Sequence, residues 1–229
     1  MVTFSFSEGH MSVKPDRELE ARKERMASEH LLARGIRDAA VVRAMREVPR
    51  EAFLPPEMGH FAYDDSPLPI QAGQTISQPY IVAYMIEALE LTGQERVLEI
   101  GTGSGYAAAV LSLCAAQVCT VERIALLAEG ARSRLEELGF RNVQVHLADG
   151  TLGWREHAPY DAIVVTAGAP EVPEELLEQL APGGRLVIPV GPTPHMQTLV
   201  RVRKTAQGEL RREELCAVRF VPLIGEQGW

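Results

Sequence analysis

The stretch with the most chemical content is Val97-Leu98-Glu99-Ile100-Gly101-Thr102-Gly103-Ser104-Gly105-Tyr106, an apolar run that enters a glycine turn. Glycines at such a turn let backbone approach a ligand closely, and a helix opening just after them aims its free N–H groups at that ligand. The spacing is Gly-x-Gly-x-Gly, and Tyr106 stands where the dinucleotide fingerprint needs its last glycine. A pyrophosphate is therefore disfavoured. Glu99 adds a carboxylate two residues before the first glycine, which suits the ammonium and sulfonium of S-adenosylmethionine better than phosphates. About 20 residues further on, where an acid can accept hydrogen bonds from both ribose hydroxyls, stands Glu122. Arg123 beside it is poorly suited to reading a 2′-phosphate among acids. Asp149-Gly150 follows the next apolar run and offers a carboxylate to an adenine amino group, and Thr166 ends the run after that.

Each of these residues has a plainer reading when taken singly. A glycine triplet can be only a tight turn, Glu122 a solvated strand end and Asp149 a helix cap. Four strand ends in register favour a nucleoside pocket that binds a methyl donor.

Those ends require a particular scaffold. Apolar, β-branched runs at Arg96–Ile100, Val118–Val121, Val143–Leu147, Ala162–Thr166 and Arg185–Val190 read as strands. Helical stretches at Leu126–Leu138 and Glu174–Leu180 separate them, and Tyr80–Leu89 reads as a helix burying Ile81, Val82, Met85, Ile86 and Leu89. The alternation predicts an α/β fold: a doubly wound, mostly parallel Rossmann-like sheet with its ligand at the carboxyl ends of the strands. Thr198–Arg203 and Leu215–Pro222 predict added C-terminal strands, including an antiparallel edge. Upstream, Asp16–Arg34 reads as a helix stopped by Gly35, and a second helix begins near Asp38 and ends before Pro49. The chain thus divides into a disordered or expression-derived tail (1–14, with Met11 as an alternative start), a helical and loop lobe (15–79) and a donor-binding core with a C-terminal extension (80–229), all one functional unit.

Composition narrows the partners. A formal net charge of −8 over 229 residues, with no Lys/Arg run, disfavours nucleic acid. Cys114, Cys119 and Cys216 form no Cys-x-x-Cys pair, so neither a disulfide framework nor a zinc site is expected, and His60, His146 and His195 lack metal-ligand spacing. No segment has the length of a signal peptide's apolar region or of a membrane span, which predicts a cytoplasmic protein with no membrane partner.

The motifs go beyond a general nucleoside pocket. Gly73-Gln74-Thr75-Ile76-Ser77-Gln78-Pro79-Tyr80, the glycine turn, Val121-Glu122-Arg123, Asp149-Gly150, Ala181-Pro182-Gly183-Gly184 and Phe220-Val221-Pro222-Leu223 closely resemble the protein-L-isoaspartate O-methyltransferase family. The resemblance spans Arg34 to Trp229, and its Thr-Ile-Ser-x-Pro segment is specific to that family. It implies methyl transfer from S-adenosylmethionine to the α-carboxylate of L-isoaspartyl residues in damaged proteins, giving S-adenosylhomocysteine and an ester that collapses to a succinimide. Activity on D-aspartyl residues stays open. The resemblance makes Ser77 the active-site serine and gives Thr75, Ser77 and Val221 contact with the substrate. Ile76, Gln78, Glu99, Gly101, Gly103, Ser104, Gly105, Glu122, Asp149, Gly150 and Thr166 are the expected donor-binding residues. Phe220 to Ile224 would close over the site, no metal is implied, and an open groove for a polypeptide favours a monomer.

A carboxylate with a pKa of roughly 3.5 to 4 is already ionised at neutral pH, so the nucleophile needs no base. Positioning is the requirement. Ser77 is expected either to cap the helix by accepting from the Tyr80 amide or to donate its proton to the substrate carboxylate, and one hydroxyl can do both. Two competing readings are a methyltransferase for nucleic acid or a small molecule, and a nucleoside-binding module without turnover. The first is weakened because Val165-Thr166-Ala167-Gly168-Ala169-Pro170 lacks the Asp/Asn-Pro-Pro-aromatic segment typical of base methylation.

Overall fold

A computed structural model describes residues 17–229. The tail expected at 1–14 lies outside the described residues. The first helix, α1 (Arg17–Arg25), continues into a π-helical turn (Met26–Leu31) and a 3-10 turn (Leu32–Arg34), and Gly35 stops it in the left-handed conformation at φ 102°. Sequence periodicity anticipated one helix here. The change of winding turns Met26, Ala27 and Leu31 inward, whereas α1 buries none of its charged residues. Helix α2 (Ala39–Glu47) is capped by the Asp38 carboxylate, which accepts from the Ala40 and Val41 amides. It buries Val41, Val42, Ala44 and Met45.

Two short strands, β1 (Leu68–Pro69) and β2 (Thr75–Ile76), then pair antiparallel in a hairpin that sequence patterning did not resolve from loop. Its tip holds Ala72 and Gly73 at positive φ. Helix α3 (Pro79–Ala88) follows at once, with Pro79 at its first turn.

The remaining elements alternate: β3 (Arg96–Ile100), α4 (Tyr106–Ser112), β4 (Gln117–Glu122), α5 (Ala125–Glu137), β5 (Val143–Leu147), β6 (Tyr160–Val165), α6 (Glu174–Gln179), β7 (Leu180–Thr193), β8 (Met196–Lys204) and β9 (Leu210–Val218). They form one seven-stranded sheet in the order β5-β4-β3-β6-β7-β8-β9. The first five in that order run parallel, and β8 and β9 are antiparallel additions. This is the doubly wound, Rossmann-like methyltransferase fold with C-terminal added strands. Winding reverses beside β3, which places a crevice at its carboxyl end.

Period-two alternation divides the buried apolar strand residues between two cores. Val97, Val118, Ala162, Val164 and Val187 join the cluster beneath α2, α3 and α4 that also contains Met26, Leu31 and Phe53. Leu98, Ile100, Cys119, Val121, Ile163, Val165, Leu186 and Ile188 join the opposite cluster with Leu176 and Leu223. The N-terminal lobe is therefore continuous with one face of the sheet. The tail differs from its sequence reading: the last strand starts at Leu210 instead of Leu215 and stops at Val218, and the residues from Arg219 onward leave the sheet. Phe220 breaks from the ladder because Gln197 holds its backbone from the side, the Phe220 amide donating to Gln197 Oε1 at 2.7 Å and Gln197 Nε2 donating to the Phe220 carbonyl at 3.1 Å.

Candidate active site

The glycine turn lies between the ends of β3, β4 and β6. Gly101, Gly103 and Gly105 all take positive φ (96°, 54° and 91°), which the turn requires and an L side chain resists. A Cβ on Gly101 would lie 2.5 Å from Thr166 Oγ1, which donates to the Gly101 carbonyl at 2.7 Å and the Ile100 carbonyl at 3.0 Å. Thr166 thus fixes the turn from the neighbouring strand.

Glu122 ends β4 and accepts from the Gly103 amide at 2.9 Å and, through its other oxygen, from the Ile124 amide at 2.9 Å. Both carboxylate oxygens retain lone pairs toward the cleft. Glu99 is fully buried, and its Oε2 accepts from Thr120 Oγ1 at 2.6 Å while Oε1 has no partner. Burial pushes its carboxyl up to about 8, with the nearby Glu122 charge adding to the rise and the Thr120 bond opposing it. Such an oxygen invites a cationic donor.

A cleft of about 240 Å³ opens here. It brings together Thr75, Ile76, Ser77, Glu99, Gly101, Gly103, Ser104, Glu122, Gly150, Thr166 and Val221, which come from well-separated stretches of the sequence. Gln78 lines an adjoining groove, which Thr75, Ser77, Thr166 and Val221 share. Gly105 sits behind the turn against Ala131 and Leu135 of α5, where a Cβ would be crowded. Asp149 points to the C-terminal segment. One of its oxygens accepts from the Thr151 amide (2.9 Å) and hydroxyl (2.7 Å), and the other from the Glu226 amide (2.8 Å). Partial burial opposes ionisation of Asp149, but the Glu226 and Thr151 bonds outweigh it and hold the carboxyl below the usual range.

Ser77 does not cap α3. The N-cap is Gln78, no side chain bonds the first turn, and the Ser77 hydroxyl has no hydrogen-bond partner among the described residues. Pro79 at the first helical position moves the cap one residue past the serine. The backbone of Ser77 is held from the core, where Arg50 Nη2 donates to its carbonyl at 2.8 Å and Arg50 Nε to that of Ala62 at 2.7 Å. Arg50 is fully buried beside the Tyr106 ring, and burial lowers its pKa. Sequence reasoning missed Arg50; its one signal was a charged residue between Val48-Pro49 and the apolar Phe53-Leu54.

The C-terminal strap covers the cleft with Val221 to Ile224. Its ties include the Gln197 clamp, Gly168 N–H donating to Val221 (2.8 Å), Leu223 N–H donating to Gly168 (2.7 Å), and Trp229 Nε1 donating to Gly168 (3.0 Å). Gly168 must be glycine, because a Cβ would collide with the Gln197 amide. Arg123, Ile124, Leu223 and Ile224 also line the cleft; of these Ile124, one residue past the Val121-Glu122-Arg123 motif, was not singled out from sequence. Among the described residues no His/Cys/Asp/Glu group could hold a metal, and no helix is long and apolar enough to cross a membrane.

A Rossmann-like sheet, a glycine turn with acids at successive strand ends, and a serine-bearing segment facing the same cleft define an S-adenosylmethionine-dependent methyltransferase fold. The family described as protein-L-isoaspartate(D-aspartate) O-methyltransferase matches residues 21–228. The chain belongs to that family. It is 65% identical over 213 residues to protein-L-isoaspartate O-methyltransferase 2 of Pelobacter propionicus, covering 93% of this chain and 95% of the relative. To protein-L-isoaspartate O-methyltransferase 1 of Geotalea uraniireducens it is 66% identical over 208 residues, covering 91% and 95%. Among solved structures, one protein-L-isoaspartate O-methyltransferase superposes with a TM-score of 0.80 at 33% identity, covering 90% of this chain and 67% of that one. Another, from Plasmodium falciparum in complex with S-adenosyl-L-homocysteine, gives 0.73 at 27% identity, covering 89% and 98%.

Proposed function

We infer that this chain transfers a methyl group from S-adenosylmethionine to the α-carboxylate of L-isoaspartyl residues in damaged proteins, as a repair enzyme. The observation that carries this reading is the meeting of Thr75–Ser77, the segment specific to the family, with the Gly101–Gly103 turn in one cleft. The residues fit the donor: Glu99 offers a buried, unpartnered oxygen to its ammonium, Glu122 keeps acceptor capacity for ribose hydroxyls, and the turn admits close backbone approach. When bound, S-adenosylmethionine supplies an electrophilic methyl on a sulfonium.

The protein's own work is positional. Ile76, Gly101, Gly103, Ser104, Glu122, Gly150 and Thr166 form the donor side, with Gln78 at the junction to the groove; Gly105 and Asp149 support it from behind, through α5 and the strap. Ser77 directs its free hydroxyl hydrogen at one oxygen of the substrate carboxylate, and Thr75 and Val221 flank the chain that carries it. The carboxylate enters as an anion, so no side chain removes a proton. Holding two reactants in line lowers the barrier by on the order of 7 to 11 kcal/mol in well-oriented pairs. The strap excludes water, which would otherwise solvate the carboxylate and weaken it as a nucleophile.

Residues 15–79 act as a lobe and 80–229 as the donor-binding core of one functional unit. The acidic balance disfavours nucleic acid, the free cysteines suit a reducing cytoplasm, and a groove open to a polypeptide favours a monomer. The test is transfer from labelled donor to an isoaspartyl peptide beside the matching aspartyl peptide. Label on the first alone is expected; label on neither overturns the reading.

A further inference from the structure

The groove adjoining the cleft, about 280 Å³, runs from Ser77 past Ala217 and Val218 to Arg219 and Phe220. Among the described residues, Arg219 is the one charged residue on its wall. Its guanidinium is exposed, and its recorded partner among the described residues is the Nδ1 of His195, 3.3 Å from Nη2. A guanidinium has donors and no acceptor, so Arg219 gives one N–H to the ring nitrogen and keeps its own charge with most of its five N–H donors unspent. The acids nearest in sequence to the groove do not cancel it: Asp65 is paired with Arg34, and neither Asp64 nor Asp65 lines the wall. A lone cation beside a groove, on a chain of net charge −8, stands out.

We propose that Arg219 is a specificity-determining residue, drawing in isoaspartyl substrates that carry an acidic residue next to the damaged position and disfavouring those with a basic one. This rests on the reading that Ser77 receives the isoaspartyl carboxylate, because the groove then holds the flanking polypeptide. Arg matches a carboxylate in bidentate fashion, and a like charge at the same place repels. The pair is solvent-exposed, so its effect is modest and screened by salt.

The experiment measures kcat/KM for isoaspartyl peptides with Glu, Ala or Lys placed one or two residues to either side, using the full chain at low ionic strength. At one flank, the Glu peptide is expected to exceed the Lys peptide by roughly three- to fivefold, the size of an exposed ion pair. That ratio should fall to about one in Arg219→Gln, invert in Arg219→Glu, and shrink in 0.5 M salt, about where the Debye length drops below 5 Å. Equal Glu and Lys rates in the unmodified protein, or a ratio that survives Arg219→Gln, would overturn the assignment while leaving isoaspartyl methylation intact. Failure to methylate any of the peptides, including the Ala one, would instead strike the parent reading.

Discussion

The two walls of the cleft are built in different ways. The donor wall consists of strand ends and the turns that leave them, and its bonds join neighbouring strands: Gly103 to Glu122, Thr120 to Glu99, Thr166 to Gly101. The acceptor wall consists of a hairpin, a helix start and a strap that have little regular structure of their own. They are fixed from a distance, by Arg50 under Ser77, by Gln197 under Phe220 and by Asp149 under Glu226. A nucleoside of constant shape can meet a wall set by the sheet. A damaged polypeptide varies around its isoaspartyl residue, and a wall assembled from separable pieces can part to admit it.

That contrast can be broken most severely at Gly101. A methyl there meets Thr166 Oγ1 at 2.5 Å in a conformation with φ 96°, so Gly101→Ala should weaken S-adenosylhomocysteine binding beyond detection by calorimetry. Retained micromolar affinity would show that the turn is not the donor's seat. Ser77→Ala should strike the other wall alone: kcat down by about 100-fold, as for loss of one oriented donor, with product affinity within about twofold. A matching loss of product affinity would place Ser77 on the donor side instead.

Glu99→Gln should cost roughly tenfold to 100-fold in product affinity, since it replaces a charge-assisted bond to the ammonium by a neutral one. It also tests the sign of a titration. With the folded carboxyl pushed up to about 8 from 4.5, the folded state binds a proton that the unfolded state has lost between those values. Stability of the ligand-free protein should therefore fall as pH rises through that window, and ligand binding at pH 7 should release a proton. Denaturation across pH and calorimetry in buffers of different ionisation enthalpy read both effects, and Glu99→Gln should abolish them. The smallest effect is expected at Gln197. Leu there frees Phe220, so the peptide KM should rise roughly tenfold, equivalent to about 1.4 kcal/mol, with faster amide exchange from Val221 to Ile224. Unchanged exchange would mean that the strap is held without the Gln197 clamp.

The donor wall was the legible one. Strand β3 was read residue for residue, β5 likewise, and Glu99 and Glu122 line the cleft because parallel strands in a doubly wound sheet end on one edge. The acceptor wall was recognised through motif resemblance, yet its supports were not read. The π-helical turn at Met26–Leu31, the Leu68–Ile76 hairpin, the shift of the cap from Ser77 to Gln78 and the exit of the chain at Arg219 all depend on partners outside the local window. Asp149 is a further case: its position after β5 was legible, but the bonds that its oxygens accept from Thr151 and Glu226 were not.

The sequence by itself determined the sheet, its winding and the chemistry of the donor's cradle, because hydrophobic period, glycine conformation and strand-end acids act over a few residues. Only the tertiary structure decided which face Ser77 presents, what holds its backbone and how the strap lies over the cleft. Those choices rest on single hydrogen bonds between residues 23 to 77 positions apart. Such bonds form only after the sheet has brought their partners together, so no local pattern of residues announces them.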